Sequence, residues 1–305
     1  MKTKHRFSTQ FFILIILFFS FNASAKETKI PFKKWWIPQG IEIFKKAYPD
    51  IQFIPTYDKE VEDWLVTIIV YDAKNPQKKH QEDLYWCDSK FLPKDKLDQK
   101  DNYRPLLYNY SFTVPDPKNF SEKDIELIKE FTDRDNRKNS PIDPPFFYDL
   151  VYDCTNREST ERHIVSIPFL TLNINVHERI KEPLERVSKK IMALPRDEEM
   201  TKFLSTLTRT DGYAWRTVRD TQSRSFHSRG LAIDILPKNY YQRIIYWSWQ
   251  KQLRPDDWYM TEISKRWAPP KRVIEIFKEE GFIWGGTWIV WDNMHFEYHP
   301  ELLVD

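Results

Sequence analysis

Excess charge of either sign is missing from this sequence. The chain carries 47 basic and 45 acidic residues. Its first 25 residues hold three of the basic ones (Lys2, Lys4 and Arg6) and no acidic one, which leaves 44 against 45. A balance this close to zero leaves no electrostatic footprint for nucleic acid or for an anionic membrane as the main partner. Long apolar runs are missing after residue 25, so no later segment is expected to span a bilayer. Cysteine is scarce: Cys87 and Cys154 are the only two. Neither stands in a C-x-x-C pair, so a thiolate zinc site or thioredoxin-like chemistry has no support. Internal repeats and low-complexity tracts are absent as well.

The amino terminus does carry a signal. Three basic residues precede an apolar run from Phe11 to Phe21, and Ala23-Ser24-Ala25 supplies the small residues of a cleavage site. An apolar core of about a dozen residues is shorter than the ~20 a permanent spanning helix needs. Residues 1–25 therefore read as a secretory signal peptide, with an uncleaved anchor as the alternative. Cleavage near Lys26 predicts an exported protein, periplasmic or extracellular, and a monomer without a stable transmembrane segment. Export would allow the two cysteines to close a disulfide around a long loop, a bridge that loop-closure entropy values at roughly 4 kcal/mol. Two unpaired buried thiols are the other reading.

Two zones follow. Residues 26–160 form an N-terminal module of unknown role. Its amphipathic stretch at Ile41, Phe44 and Tyr48 precedes strand-like runs at Trp64–Tyr71, Leu84–Leu92 and Tyr108–Val114. The turn-rich, aperiodic segment from Thr132 to Pro145 reads as a hinge. Residues 161–305 change to helices alternating with short strands. Ile180, Leu184, Val187 and Ile191 make one helical stripe, and Met200, Phe203, Leu204 and Leu207 a second. A third helix starts near Pro270 and ends before Gly281, with Val273, Ile274 and Phe277 on its apolar face. Leu231–Leu236 and His295–Tyr298 alternate as strands. The fold class is α+β, with no regular βαβ repeat.

Chemistry concentrates in SRSFHSRGLAIDIL (Ser223 to Leu236) and WDNMHFEYHPEL (Trp291 to Leu302). His227 precedes a turn at Gly230, and Asp234 lies in the apolar strand beyond it. Seven residues is the wrong spacing for one helical face, but a bend at Gly230 can bring a loop residue and a strand residue to one ion. A carboxylate between Ile233 and Ile235 is costly to bury unless it is paired or metal-bound. His295 completes a His-Asp-His set of the N/O type that catalytic zinc uses, leaving a fourth position for water. Asp292, three residues earlier, is placed to act as general base. Glu297, two residues beyond His295 on the same strand face, competes for that role.

These segments resemble the VanY-like D-alanyl-D-alanine carboxypeptidases and the related L-alanyl-D-glutamate endopeptidases, zinc peptidases of bacterial cell walls. The shared pattern S-x-H-x-x-G-x-A-x-D is met by Ser225, His227, Gly230, Ala232 and Asp234. Asp292 and His295 then supply the acidic residue three before a final histidine. The resemblance implies Zn2+ held by His227, Asp234 and His295, with Asp292 as base. It also implies an arginine upstream of the first histidine that holds substrate and stabilises the oxyanion, which Arg216 matches. It further implies a zinc DD-peptidase-like, Hedgehog-type domain with a small antiparallel sheet and flanking helices. The expected partners are peptidoglycan stem peptides. Asp292, together with His295-Phe296, leans towards the endopeptidase branch.

A non-catalytic cell-wall or ligand-binding protein retaining the same zinc fold is the rival reading. Ser225 reads as a hydrogen-bonding residue, since no base is evident to activate it. His299, before Pro300, is expected at the surface, and His163 and His177 are expected to pack or cap. Trp284, Trp288 and Trp291 are candidates for the cleft wall or for the core.

Overall fold

The computed structural model describes residues 36–72 and 77–304, and the signal-like segment lies outside them. Helical spacing of Ile41 and Phe44 gives α1 (Gln39–Ala47), which buries both side chains completely. They pack on a four-stranded antiparallel sheet in the order β1 (Ile51–Asp58), β2 (Asp63–Tyr71), β3 (Lys79–Cys87) and β4 (Lys90–Leu92). Alternation decides which face is covered: Val66, Ile68 and Val70 of β2 point inward, while Leu65 and Thr67 on the other face are only partly buried. Phe44 meets Phe91 of β4 and Phe147 edge-on, with ring centroids 5.0 and 4.9 Å apart.

Four short helices follow: α2 (Glu122–Thr132), α3 (Arg134–Asn139), α4 (Phe146–Tyr152) and α5 (Arg157–Glu161). Ser121 and Asp124 close a reciprocal capping box at the start of α2. Asp133 accepts from two backbone N–H groups of α3. That cap explains why a helix occupies the stretch read as a hinge, whose composition favours turns but also caps. The strand expected over Tyr108–Val114 does not form. Tyr110 docks there through its side chain instead, its hydroxyl donating to the Trp284 carbonyl and accepting from the Trp284 N–H.

The hairpin β5 (Ile164–Phe169) and β6 (Leu172–His177) leads into α6 (Lys181–Met192) and α7 (Glu198–Thr206). The second four-stranded antiparallel sheet combines β7 (Leu207–Asp211), β8 (Ala232–Pro237), β9 (Phe282–Trp284) and β10 (His295–Tyr298), in the order β7-β8-β10-β9. Two further helices, α8 (Trp247–Leu253) and α9 (Lys271–Glu279), precede β9. Val273, Ile276 and Phe277 of α9 are buried, and Phe277 stacks on Phe296 of β10 at 3.9 Å between centroids. β8 is buried at every residue rather than alternating, because it is a central strand covered on both faces. The architecture is mixed helix and sheet with small antiparallel sheets, as α+β predicts. One apolar core runs from Ile41 and Phe44 through Phe147 and Tyr148 to Phe226, Ile233, Phe277 and Phe296.

The disulfide is not formed. Cys87 and Cys154 are both free and buried. Cys154 donates its thiol to the Tyr148 carbonyl and lies 3.4 Å from the Arg224 guanidinium, so its surroundings are already occupied. Among the described residues no helix is long and apolar enough to cross a membrane.

Candidate metal and catalytic site

Antiparallel register sets the first pair. Asp234 of β8 and His295 of β10 are direct cross-strand partners, so their side chains leave the sheet on one face. His227 arrives from a 3-10 turn over Phe226–Arg229. Ser225 caps that turn, its hydroxyl accepting from the His227 N–H at 3.3 Å. Gly230 ends it at φ 70°, a left-handed conformation, and a Cβ there would sit 2.7 Å from the His177 nitrogen. Only glycine meets both demands, and the bend returns the chain into β8.

His227, Asp234 and His295 thereby converge, with one donor atom from each within 4.8 Å of the others. All three are buried. Nε2 of His227 lies 3.2 Å from Nδ1 of His295. The Asp234 carboxylate lies 2.8 Å from His295 Nδ1 and 3.3 Å from His227 Nε2. The outward nitrogens decide what the inward ones offer. His227 Nδ1 lies 2.6 Å from the Gly212 carbonyl, which can only accept, so this nitrogen carries the proton. His295 Nε2 is 2.9 Å from a Glu297 carboxylate oxygen and carries its proton for the same reason. Two imidazole lone pairs and a carboxylate therefore face one another, an arrangement that a shared cation relieves. Outward histidine protons held by a carbonyl and a carboxylate are the usual surroundings of metal-binding imidazoles. A proton on His295 Nδ1 can meet the same demand. Burial opposes charge on His295, yet Asp234 and Glu297 hold its imidazolium well above the usual histidine range. Asp234 stays well below the usual carboxylate range despite its burial, because of His227 and His295. The site favours positive charge, and the donor set fits a zinc ion.

Asp292 sits beside this group with its backbone clamped. Its N–H donates to Gly285, and its strand-like bridge to Tyr246 holds the other side. Oδ1 of Asp292 is buried and has no hydrogen-bond partner. Burial, partly offset by His295 and reinforced by Asp234, pushes its carboxyl up to about 8. An unpartnered carboxylate oxygen with raised basicity has the properties of a proton acceptor. Glu297, by contrast, spends one oxygen on His295 Nε2 and the other on His299 Nε2, on the far side of the ring from the converging donors. It holds the His295 ring and does not face the converging donors.

Arg216 is exposed, and among the described residues its guanidinium has no hydrogen-bond partner. The structure therefore does not bring it into the group by direct contact. Its charge is felt at Tyr246, together with those of Arg219 and Arg137. Burial and the nearby Asp292 carboxylate raise that phenol to about 12. Tyr246 and Arg137 carry no motif that marks them in the sequence, and Arg219 reads there as one of a run of solvated arginines. Trp288 stands beside His295, with ring centroids 5.6 Å apart, whereas Trp284 and Trp291 are core residues. The expectation of an exposed His299 is wrong: it is 5% exposed, because Glu297 and Glu301 accept from its two nitrogens. His177 does cap, accepting from the Arg179 N–H.

Comparison with known proteins finds two matched segments. Residues 212–298 match the family described as D-alanyl-D-alanine carboxypeptidase, a segment that contains all four predicted ligand and base residues. The match supports a relation to that peptidase family. Residues 40–108 match a domain of unknown function. No curated protein and no solved structure matches the chain.

Proposed function

We propose that this chain is a zinc-dependent peptidase of the VanY-like kind that hydrolyses a peptide bond involving a D-amino acid in peptidoglycan stem peptides. The bond is of the L-alanyl-D-glutamate or the D-alanyl-D-alanine type. The observation that carries the reading is the convergence of His227 Nε2, His295 Nδ1 and the Asp234 carboxylate, with both outward imidazole protons engaged. These three residues would hold the ion. Zinc bound there supplies a water that ionises near neutral pH and a Lewis acid for the scissile carbonyl. Asp292 takes the proton at its unpartnered Oδ1 and returns it to the leaving amine. Arg216, whose charge reaches Tyr246 beside Asp292, holds the substrate and the developing oxyanion.

Residues 161–305 form the catalytic, Hedgehog-type part in this reading, and 26–160 the module that precedes it. Segment 1–25 exports the chain, which acts as a monomer outside the cytoplasm and takes no nucleic-acid partner.

The test is digestion of purified peptidoglycan by the zinc-loaded protein, with fragments identified by mass spectrometry. New L-Ala carboxyl termini paired with D-Glu amino termini would name the endopeptidase, and released D-Ala the carboxypeptidase. Chelator should abolish the products and zinc should restore them. Binding to peptidoglycan without any new terminus would mean that the fold serves recognition instead.

A further inference from the structure

The site described above does not end at its ligands. Glu297 accepts from His295 Nε2 at 2.9 Å with one oxygen and from His299 Nε2 at 3.1 Å with the other. His299 Nδ1 lies 2.8 Å from Glu301 Oε1. The Tyr148 hydroxyl donates to the same oxygen at 3.0 Å, and the Tyr48 hydroxyl donates to Glu301 Oε2 at 2.8 Å. Glu301, His299, Tyr148 and Tyr48 are all 5% exposed or less. Burial opposes a charge on His299, yet the two glutamates raise it to about 9, so both of its nitrogens can donate. Every polar atom along this line is engaged, and a chain of buried charges is held at a desolvation cost that apolar residues of the same size would avoid. Such a cost is kept where the groups fix something, and what lies at the end of this line is a ligand imidazole.

We infer that Tyr48 and Tyr148, acting through Glu301, His299 and Glu297, are positioning residues of the metal centre. Both tyrosines lie outside the segment that matches the peptidase family. Tyr48 follows α1 within the segment that matches a domain of unknown function, and Tyr148 belongs to α4. The N-terminal module is thus part of the machinery that aims His295. Without the two hydroxyls, Glu301 is a buried carboxylate short of donors and draws His299 towards itself. Glu297 then loses its second anchor and holds His295 Nε2 less firmly. A partner bonded directly to a ligand imidazole, as Glu297 is to His295, typically changes metal affinity by 10–100-fold, and the tyrosines act through it.

This inference rests on the zinc reading, so the test separates the two. Zinc affinity of the full chain is measured by competition with a chelating dye, and the visible band of the cobalt(II)-loaded protein is recorded alongside. Wild type should bind one zinc, and His227→Ala should lose it. Absence of that pattern overturns the zinc reading and this inference with it. Given that pattern, Glu301→Gln and the double variant Tyr48→Phe/Tyr148→Phe should bind zinc about 10-fold more weakly and alter the cobalt band. Zinc affinity within twofold of wild type and an unaltered cobalt band would overturn the positioning role, whatever the metal-free melting temperature does. Should Glu301→Gln fail to fold, Tyr48→Phe alone carries the test, since it removes one hydroxyl and keeps the ring that packs on Phe147.

Discussion

Asp234 and His295 stand directly opposite each other across the β8–β10 ladder, with Oδ1 of one 2.8 Å from Nδ1 of the other. A slip of one residue by either strand would turn that strand's side chain to the opposite face and put a neighbour such as Ile233 or Phe296 in its place. The stacking of Phe296 on Phe277 therefore fixes more than the core. It locks the register that sets Asp234 opposite His295.

The division of labour between ligand and base gives the first prediction. His227→Ala should lose bound zinc and all activity. Asp292→Asn should bind zinc within a few-fold of wild type, because its carboxylate is not in the converging group. Its kcat should nevertheless fall by about 10²–10⁴. Metal analysis and stem-peptide hydrolysis measured on the same preparations check this. An Asp292→Asn variant with full turnover would remove Asp292 from the role of base.

The ordered residues of this site were legible in the sequence, and the reason is local. His227, Gly230 and Asp234 lie within one turn and strand, where seven residues and a bend suffice to bring donors together. Asp292 and His295 lie within another such segment. The surroundings were not legible, because they come from far away in the chain. The Gly212 carbonyl that fixes the His227 tautomer precedes it by 15 residues, and Tyr48 lies 253 residues from Glu301. His299 was misread for a related reason. Proline after a strand usually marks a surface turn, and the alternation Glu297, His299, Glu301 was the one local sign of a buried polar line. The missed α3 shows a limit of another kind, since capping residues and turn residues are the same residues.

The turn that carries His227 yields a second prediction. Gly230→Ala puts a Cβ against the His177 nitrogen and forces alanine to φ 70°. The left-handed conformation alone costs roughly 1–2 kcal/mol, and the close approach adds to it. Ser225→Ala removes only the cap, worth about 1 kcal/mol. Thermal unfolding should rank them in that order. The glycine variant should also weaken zinc binding, because the displaced turn carries the proposed ligand His227.

Free thiols give a third. Without reductant, the folded protein should resist a thiol reagent and the denatured protein should show two reactive thiols per chain. Burial pushes the Cys154 thiol up to about 12, which slows its reaction further, since only the thiolate attacks. An intact mass lower by two hydrogens in the non-reduced protein would instead reveal a Cys87–Cys154 bridge.

His177 gives a dependence on pH whose sign is fixed by its contacts. Its Nε2–H donates to the Tyr152 carbonyl at 2.8 Å, and its Nδ1 accepts from the Arg179 N–H at 3.2 Å. Both nitrogens are committed to the neutral ring, and a second proton would break the Arg179 contact. Burial, aided by the charges of His163 and Arg179 and opposed by the Tyr152 carbonyl and Glu178, lowers the imidazole to about 4. Above its unfolded value near 6.5 the ring is neutral in both states, and the full stability is present. As pH falls below 6.5 the unfolded chain takes up a proton that the native state refuses, so stability declines until the native ring titrates near 4. A shift of that size corresponds to roughly 3 kcal/mol. His177→Gln keeps a donor for Tyr152 and cannot titrate, so the difference in unfolding free energy between it and wild type should narrow or reverse from pH 7 to pH 4. Parallel slopes across that range would show that His177 takes up its proton alike in the folded and the unfolded chain.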